Sequence, residues 1–258
     1  MIFLGPLLTM NTQKWLQATV VSQTRWTERL HSLRIDAEPL GFEAGQFTKL
    51  GLEIDGEIVG RPYSFVSAPG EQPYEFYYSL VPEGPLSPRL VCLEAGSSIL
   101  LGASPSGFLV LSEIPDSPCL WLLSTGTGIG PFLSMLSTDA PWKRFGRVVL
   151  VHAARHAADL SYREREDELD RTRGEQFRMI RVVSRERDER LLHGRIPGLI
   201  EDGQLEAAAG ANLEVSTSQV MICGNPSMVT ETTAVLLARG MRKHRRRSPG
   251  QITVENYW

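Results

Sequence analysis

The sequence predicts two domains, an N-terminal antiparallel β-barrel with a capping helix and a C-terminal α/β domain with a parallel sheet. Three observations predict this. From Lys14 to about Leu111, short segments of alternating character are separated by Gly, Pro and Asp clusters, the rhythm of a small antiparallel barrel. From Cys119 onward, continuous apolar runs alternate with helical segments, as in a parallel sheet covered on both faces. Between the two, Ser124-Thr125-Gly126-Thr127-Gly128-Ile129-Gly130-Pro131 joins an apolar strand to a helix start. The expected division is residues 1–13 as an N-terminal extension, 14–113 as the barrel domain and 114–258 as the α/β domain.

The bulk properties bound the function. A chain of 258 residues can bury two cores, and 42% hydrophobic with 22% charged residues is ordinary for a soluble globular protein. A net charge of −3 argues against general nucleic-acid binding. Cys92, Cys119 and Cys223 lie far apart, without metal-ligand spacing or an iron–sulfur run, and so few thiols read as cytosolic. His31, His152, His156, His193 and His244 give no metal spacing either, so no metal is expected. The apolar start Met1–Leu8 lacks a basic n-region and a cleavage site, so no signal peptide is expected, and Met10 is an alternative start. No stretch is long and apolar enough to span a membrane.

In the first half, strands are predicted at 15–21, 30–35, 47–52, 63–67, 74–81 and 98–101. A helix is predicted over 87–93, with Ser87 as N-cap and Pro88 at its first position. Two motifs exceed what a barrel needs. In Arg61-Pro62-Tyr63-Ser64, arginine offers a donor fork for phosphate, tyrosine a flat face and serine a small donor and acceptor. Alone, these four residues are accounted for by a strand start with a surface arginine and a half-buried tyrosine. The second motif, Gly84-Pro85-Leu86-Ser87-Pro88-Arg89-Leu90, feeds a glycine turn into a helix N-terminus, which suits either an anion or a helix closing the barrel.

In the second half, strands are predicted at 119–123, 147–153, 177–183 and 219–223. Helices are predicted from Phe132, over 161–173 behind a Ser161–Glu164 capping box, at 196–200 and over 227–239. The glycine loop has the spacing Gly-x-Gly-x-Gly-Pro. That is neither the Gly-x-Gly-x-x-Gly dinucleotide fingerprint nor a Walker loop, so on its own it reads as an anion site or as a tight loop. Ligands on such sheets sit beyond the carboxyl ends of the strands. There the chain offers Arg155, Arg185 and Arg195 where an NAD-binding sheet usually offers an acid, which favours a 2′-phosphate and hence NADP. Cys223-Gly224-Asn225-Pro226 ends another strand, with the cysteine either a small buried hydrophobe or a polarisable group beside a flat ligand. The terminal Tyr257-Trp258 reads as packing on the barrel or as stacking on a cofactor ring.

Arg-Pro-Tyr-Ser, Gly-Pro-Leu-Ser-Pro-Arg-Leu, Gly-Thr-Gly-Ile-Gly-Pro and Cys-Gly-Asn-Pro occur in that order ahead of an aromatic C-terminus. In this the chain, from about Lys14 to Trp258, resembles the bacterial ferredoxin/flavodoxin–NADP⁺ reductases. The resemblance implies a ferredoxin reductase-like fold, FAD held between the domains and a C-terminal tail returning to the flavin. It places Arg61, Pro62, Tyr63 and Ser64 on FAD, with Tyr77, Tyr78, Ser79 and Leu80 beside the flavin. Leu86 and Ser87 are implied at the FAD pyrophosphate, Thr127 where flavin and nicotinamide meet, and Trp258 stacked on FAD. Gly126, Gly128 and Gly130, with Arg155, Arg185, Arg195 and Cys223-Gly224-Asn225-Pro226, are implied for NADP. Ser64, Cys223 and Glu255 are implied to shape the hydride-transfer site.

The activity implied is hydride exchange between NADPH and FAD, then single-electron exchange with ferredoxin or flavodoxin. A cytoplasmic monomer is expected. The basic run Arg242-Lys243-His244-Arg245-Arg246-Arg247 reads as a solvated face or as a patch steering an acidic carrier. Competing readings are a free flavin reductase, an oxygenase electron-transfer component and a non-catalytic flavin or nucleotide sensor.

Overall fold

A computed structural model describes residues 14–256. Six strands form the first sheet: β1 (Trp15–Arg25), β2 (Leu30–Ala37), β3 (Phe47–Ile54), β4 (Glu57–Ser64), β5 (Tyr74–Ser79) and β6 (Ser98–Gly102). Their order is β4-β3-β6-β1-β2-β5, with antiparallel pairing throughout. A bridge between Phe65, just past β4, and Phe76 in β5 ties the two edges together into a barrel. Alternation on β1 and β2 turns Leu16, Ala18, Val20, Leu33 and Ile35 inward, where they meet Leu50, Phe76 and Leu101. α1 (Ser87–Leu90) is a single turn that contributes Leu90 to this core beside the preceding Leu86.

The second sheet is parallel: β7 (Cys119–Thr125), β8 (Arg147–Ala154), β9 (Phe177–Val183), β10 (Leu192–His193), β11 (Ser218–Gly224) and β12 (Ile252–Asn256), in the order β10-β9-β8-β7-β11-β12. One apolar core holds α2 (Gly130–Leu136) against one face; the other holds α5 (Ile196–Glu201) and α7 (Pro226–Ala238) against the opposite face. The remaining helices are α3 (Ala140–Arg144), α4 (Arg163–Arg173) and α6 (Gln204–Ala209). Strand order reverses at β7, flanked by β8 and β11, so the glycine loop leaves the sheet at its switch point.

Several expectations are corrected. The strand predicted over 63–67 runs instead over β4, so Arg61-Pro62-Tyr63-Ser64 ends a strand rather than starting one. Pro62 fits because β4 lies at the edge of the sheet, where a missing N–H costs least. The helix predicted over 87–93 is one turn, and Ser87 does not cap it: its Oγ accepts from the Val81 N–H at 2.9 Å and faces the Val81 carbonyl at 3.2 Å. The capping box is absent too. Tyr162 stands at the N-cap of α4 in the left-handed region (φ 63°), and Ser161 Oγ accepts from the Tyr77 hydroxyl at 2.8 Å. The C-terminal segment is not a mere tail, since Ile252–Asn256 pairs along β11. α3, α6 and β10 are further additions. No helix among the described residues is long and apolar enough to cross a membrane.

Candidate functional site

The glycine loop is shaped by what it touches. Gly126 takes φ +53°, and residues 126–129 make a tight turn that runs directly into α2, with Gly130 and Pro131 at the helix start. Thr127 is thereby tucked into the seam between loop and strands, only 9% exposed. On the neighbouring strand end, Gly224 takes φ +140° beside the Thr125 side chain. The Asn225 N–H donates to Thr125 Oγ1 at 2.9 Å. Asn225 in turn caps α7 by accepting from the Ser227 N–H at 2.9 Å, with Pro226 opening the helix. Gly224-Asn225-Pro226 therefore forms a second wall beside the loop.

The barrel meets this wall through a short relay of neighbours. Ser64 ends β4 opposite Phe47, and the Phe47 ring lies against Gly107. Glu255 Oε1 stands 3.3 Å from where a Cβ on Gly107 would be. Glu255 is the register partner of Cys223 across β12 and β11. Along this seam Glu255 and Cys223 are register partners, Gly107 stands between Glu255 and the Phe47 ring, and Gly128, next to Thr127, is set against the Cys223 carbonyl. Ser64 Oγ and Glu255 Oε2 are both buried and, among the described residues, have no hydrogen-bond partner. Burial pushes the Glu255 carboxyl up to about 7.

Tyr63 stands edge-on to Tyr78 at 6.0 Å between ring centroids. Burial pushes its hydroxyl up to about 12, opposed in small part by Arg61. Tyr77 and Tyr78 are buried and their hydroxyls raised by burial, while Ser79 and Leu80 are half-buried. The Leu80 N–H donates to the Arg29 carbonyl at 2.7 Å. Arg61 and Pro62 are exposed, and one guanidinium nitrogen of Arg61 is held by the Gly60 carbonyl at 2.8 Å. Leu86 is buried, and the Ser87 hydroxyl is already engaged by Val81.

The three arginines form a separate group. Arg155 follows β8 directly, and its carbonyl accepts from the Arg185 N–H at 3.0 Å. Arg195 follows β10, whose next residue, Gly194, donates to the Val183 carbonyl at 3.0 Å. All three side chains are exposed. Among the described residues, none of their guanidinium groups has a hydrogen bond or ion pair. Arg144, Arg181 and Arg239, in contrast, are fixed by carboxylates. Arg246 of the basic run is likewise held by Glu113, leaving Arg242, Lys243, Arg245 and Arg247 exposed.

These residues fit FAD and NADP. Partnerless buried polar atoms at the seam and unengaged guanidinium groups at strand ends are what a bound flavin and a phosphorylated nucleotide would satisfy. No cluster of metal-ligating side chains occurs among the described residues. Trp258, assigned to FAD from the sequence, lies outside the described residues, as does Tyr257. Sequence reasoning missed Tyr162, which reaches from the α/β domain to Glu75 of the barrel at 2.6 Å. The only local signal there, a serine before a helix, pointed to a cap instead.

The oxidoreductase NAD-binding domain family matches residues 122–234. The flavodoxin/ferredoxin–NADP reductase of Shigella flexneri is 50% identical over 245 residues, covering 95% of this chain and 99% of the relative. That of Escherichia coli K12 is 49% identical over the same coverage. Among solved structures, a ferredoxin NADP⁺ reductase from Neisseria gonorrhoeae with bound FAD and NADP superposes with a TM-score of 0.91. It is 34% identical, covering 95% of this chain and all of that one. With identity at this level across nearly its whole length, the chain belongs to the flavodoxin/ferredoxin–NADP reductase family.

Proposed function

We propose that this chain is a flavoprotein oxidoreductase exchanging hydride between NADPH and FAD and single electrons with ferredoxin or flavodoxin. The observation that carries this reading is the pair of buried, partnerless atoms at the domain seam, Ser64 Oγ and Glu255 Oε2. They belong to the two domains, Ser64 at the end of β4 and Glu255 on β12, and on this reading the flavin and nicotinamide rings meet between them. FAD, when bound, supplies the conversion between two-electron and one-electron chemistry.

The side chains position and shield. Ser64 and Glu255 offer hydrogen-bonding atoms at the edge of the rings, and Cys223 and Thr127 line the same seam. Tyr63 offers an aromatic face, and Arg61 keeps guanidinium donors for phosphate. Tyr77, Tyr78, Ser79 and Leu80 run beside the flavin, and Leu86 and Ser87 flank its pyrophosphate through their backbone. Gly126 is open on its side-chain side, while the space beside Gly128, Gly130 and Gly224 is filled by Cys223, Val66 and Thr125, so these glycines shape the loop and, with Asn225-Pro226, offer NADP their backbone. Arg155, Arg185 and Arg195 take the adenosine phosphate, favouring NADP over NAD. Trp258, outside the described residues, is proposed as the ring that stacks on FAD.

On this reading residues 14–113 are the FAD domain and 114–258 the NADP domain, preceded by an extension at 1–13. The protein is a cytoplasmic monomer. Its exposed residues Arg242, Lys243, Arg245 and Arg247 suit an acidic carrier. Anaerobic mixing with NADPH tests the central claim: the yellow flavin bleaches rapidly, and a stable yellow colour rejects the reading. Equal bleaching by NADH rejects the arginine assignment alone.

A further inference from the structure

A hydrogen-bond chain, buried at its centre, crosses between the domains on β5, apart from the glycine loop and the arginines. Trp26 Nε1 donates to Ser32 Oγ at 2.7 Å. Ser32 Oγ lies 2.5 Å from the Tyr162 hydroxyl, which donates to Glu75 Oε1 at 2.6 Å. Because the Tyr162 proton goes to Glu75, Ser32 is the donor to Tyr162, and every link points toward the carboxylate. Such charge-ended chains are strong and directional. Beside it, the Tyr77 hydroxyl donates to Ser161 Oγ at 2.8 Å.

The ring of Tyr162 is held as firmly as its hydroxyl. It packs between Trp26, at 4.8 Å between centroids, and Tyr77, edge-on at 5.1 Å. The backbone of Tyr162 is turned into the left-handed region, where a non-glycine residue rests only when its surroundings demand it. That turn aims the side chain out of the α/β domain and into the barrel.

What the chain grips matters for the reaction. Glu75 and Tyr77 lie on β5, the strand assigned to run beside the flavin. The Glu75 carbonyl accepts from the Val66 N–H at 2.8 Å, two residues beyond Ser64. The Glu75 N–H donates to Ser67 Oγ, and the Ser67 carbonyl accepts from Ser134 Oγ of α2, the helix that continues the glycine loop. Glu75 therefore ties three things to one point: β5, the segment after Ser64 and, through Ser67, the helix behind the loop.

We propose that Tyr162, through its hydroxyl contacts with Glu75 and Ser32, is a positioning residue that sets the barrel against the α/β domain, so that the flavin beside β5 and the nicotinamide above the glycine loop meet at reaction distance. This rests on the hydride-transfer function proposed above. Small displacements of reacting groups are costly even when both ligands still bind.

Tyr162→Phe keeps the ring stack and deletes the hydroxyl, and Glu75→Gln keeps an acceptor at lower strength. The assay is anaerobic stopped-flow bleaching by NADPH, with flavin content and NADPH affinity measured on the same preparations. Tyr162→Phe is expected to slow bleaching at saturating NADPH about tenfold with FAD content and NADPH affinity preserved, and Glu75→Gln to slow it less. In the apoprotein, amide exchange of residues 74–80 and 157–164 is expected to quicken in Tyr162→Phe while that of α7 is unchanged. Unchanged bleaching in a fully flavinylated Tyr162→Phe overturns the proposal, as does slowing fully explained by lost FAD. Should Tyr162→Phe fail to fold, Glu75→Gln is judged by the same criteria. Wild-type protein that NADPH does not bleach refutes the hydride-transfer reading itself; the exchange pattern then decides whether the latch joins the domains.

Discussion

Gly128 and Cys223 leave no room for a methyl group between them: a Cβ on Gly128 would stand 2.4 Å from the Cys223 carbonyl oxygen and 2.6 Å from its carbonyl carbon. Both obstacles are backbone, so neither can swing aside. Gly128→Ala must push the glycine loop off the end of β11, and overpacking of this kind costs about 1–3 kcal/mol. The variant is expected to melt several degrees lower and to bind NADP⁺ more weakly, with its FAD content preserved. Thermal melting and NADP⁺ titration of the flavin spectrum measure both effects. Wild-type affinity for NADP⁺ would show that the loop's seat against β11 is irrelevant to the nucleotide.

Arg155, Arg185 and Arg195 are exposed at neighbouring strand ends, and among the described residues their guanidinium groups have no partner. A hydrogen bond to a charged group contributes about 1.5–3 kcal/mol, so losing a phosphate-binding arginine weakens NADPH roughly tenfold to a hundredfold. NADH has no 2′-phosphate to lose. Each arginine-to-alanine substitution is therefore expected to raise the dissociation constant for NADPH and to leave that for NADH unchanged, which lowers the preference between the two. A variant weakening both nucleotides equally would assign that arginine to the pyrophosphate or to packing instead.

How far the sequence reached depended on how local each signal was. β9 is the segment Phe177–Val183 as read, because Phe177, Ile180, Val182 and Val183 supply buried apolar residues to both faces of the sheet despite Arg178 and Arg181. The motifs of the seam were legible for a similar reason, since glycines and strand ends mark themselves within a few residues. Serines before helices misled. Ser87 and Ser161 have the composition of caps, but partners outside their helices, Val81 in the preceding loop and Tyr77 in the other domain, hold their hydroxyls instead. Gly60 and Pro62 fall outside the strand predicted over 63–67, yet both sit in β4 at the edge of its sheet. The Tyr162 contacts were invisible, because Glu75 and Ser32 lie 87 and 130 positions away along the chain.

Glu255 makes stability depend on pH in a defined direction. Burial raises its carboxyl from the ordinary 4.5 to about 7 in the folded chain. Between those values the folded apoprotein keeps a proton that the unfolded chain gives up. Stability is therefore fully present below the lower value, falls as pH rises through the window and is level above it. Glu255→Gln has no proton to lose, so it is expected to remove this fall and to be the more stable protein at pH 8. Urea midpoints of both apoproteins at pH 5 and pH 8 make the comparison. Parallel changes in the two proteins would assign the slope to other groups.

Glu166 is the one fully buried carboxylate of the α/β core among the described residues, with no side-chain exposure. Its Oε1 lies 2.8 Å from His152 Nδ1 on β8, and its Oε2 accepts from Arg181 Nε on β9 at 2.6 Å. It thus bolts α4 to two adjacent strands. Arg181 has a second carboxylate, Asp167 at 2.7 Å, but that partner is exposed and cannot replace a contact made in the interior. Removing one member of a buried charged pair costs about 3–5 kcal/mol, because the other is left without compensation. Glu166→Ala is expected to lose stability on that scale, and Glu166→Gln less, since its amide oxygen still accepts one hydrogen bond. Urea unfolding measures both. NADPH affinity of the fraction that stays folded should match the wild type, because Glu166 contacts His152 and Arg181 rather than the glycine loop or Arg155, Arg185 and Arg195; a weakened affinity in that fraction would make the cluster part of nucleotide binding rather than of the core.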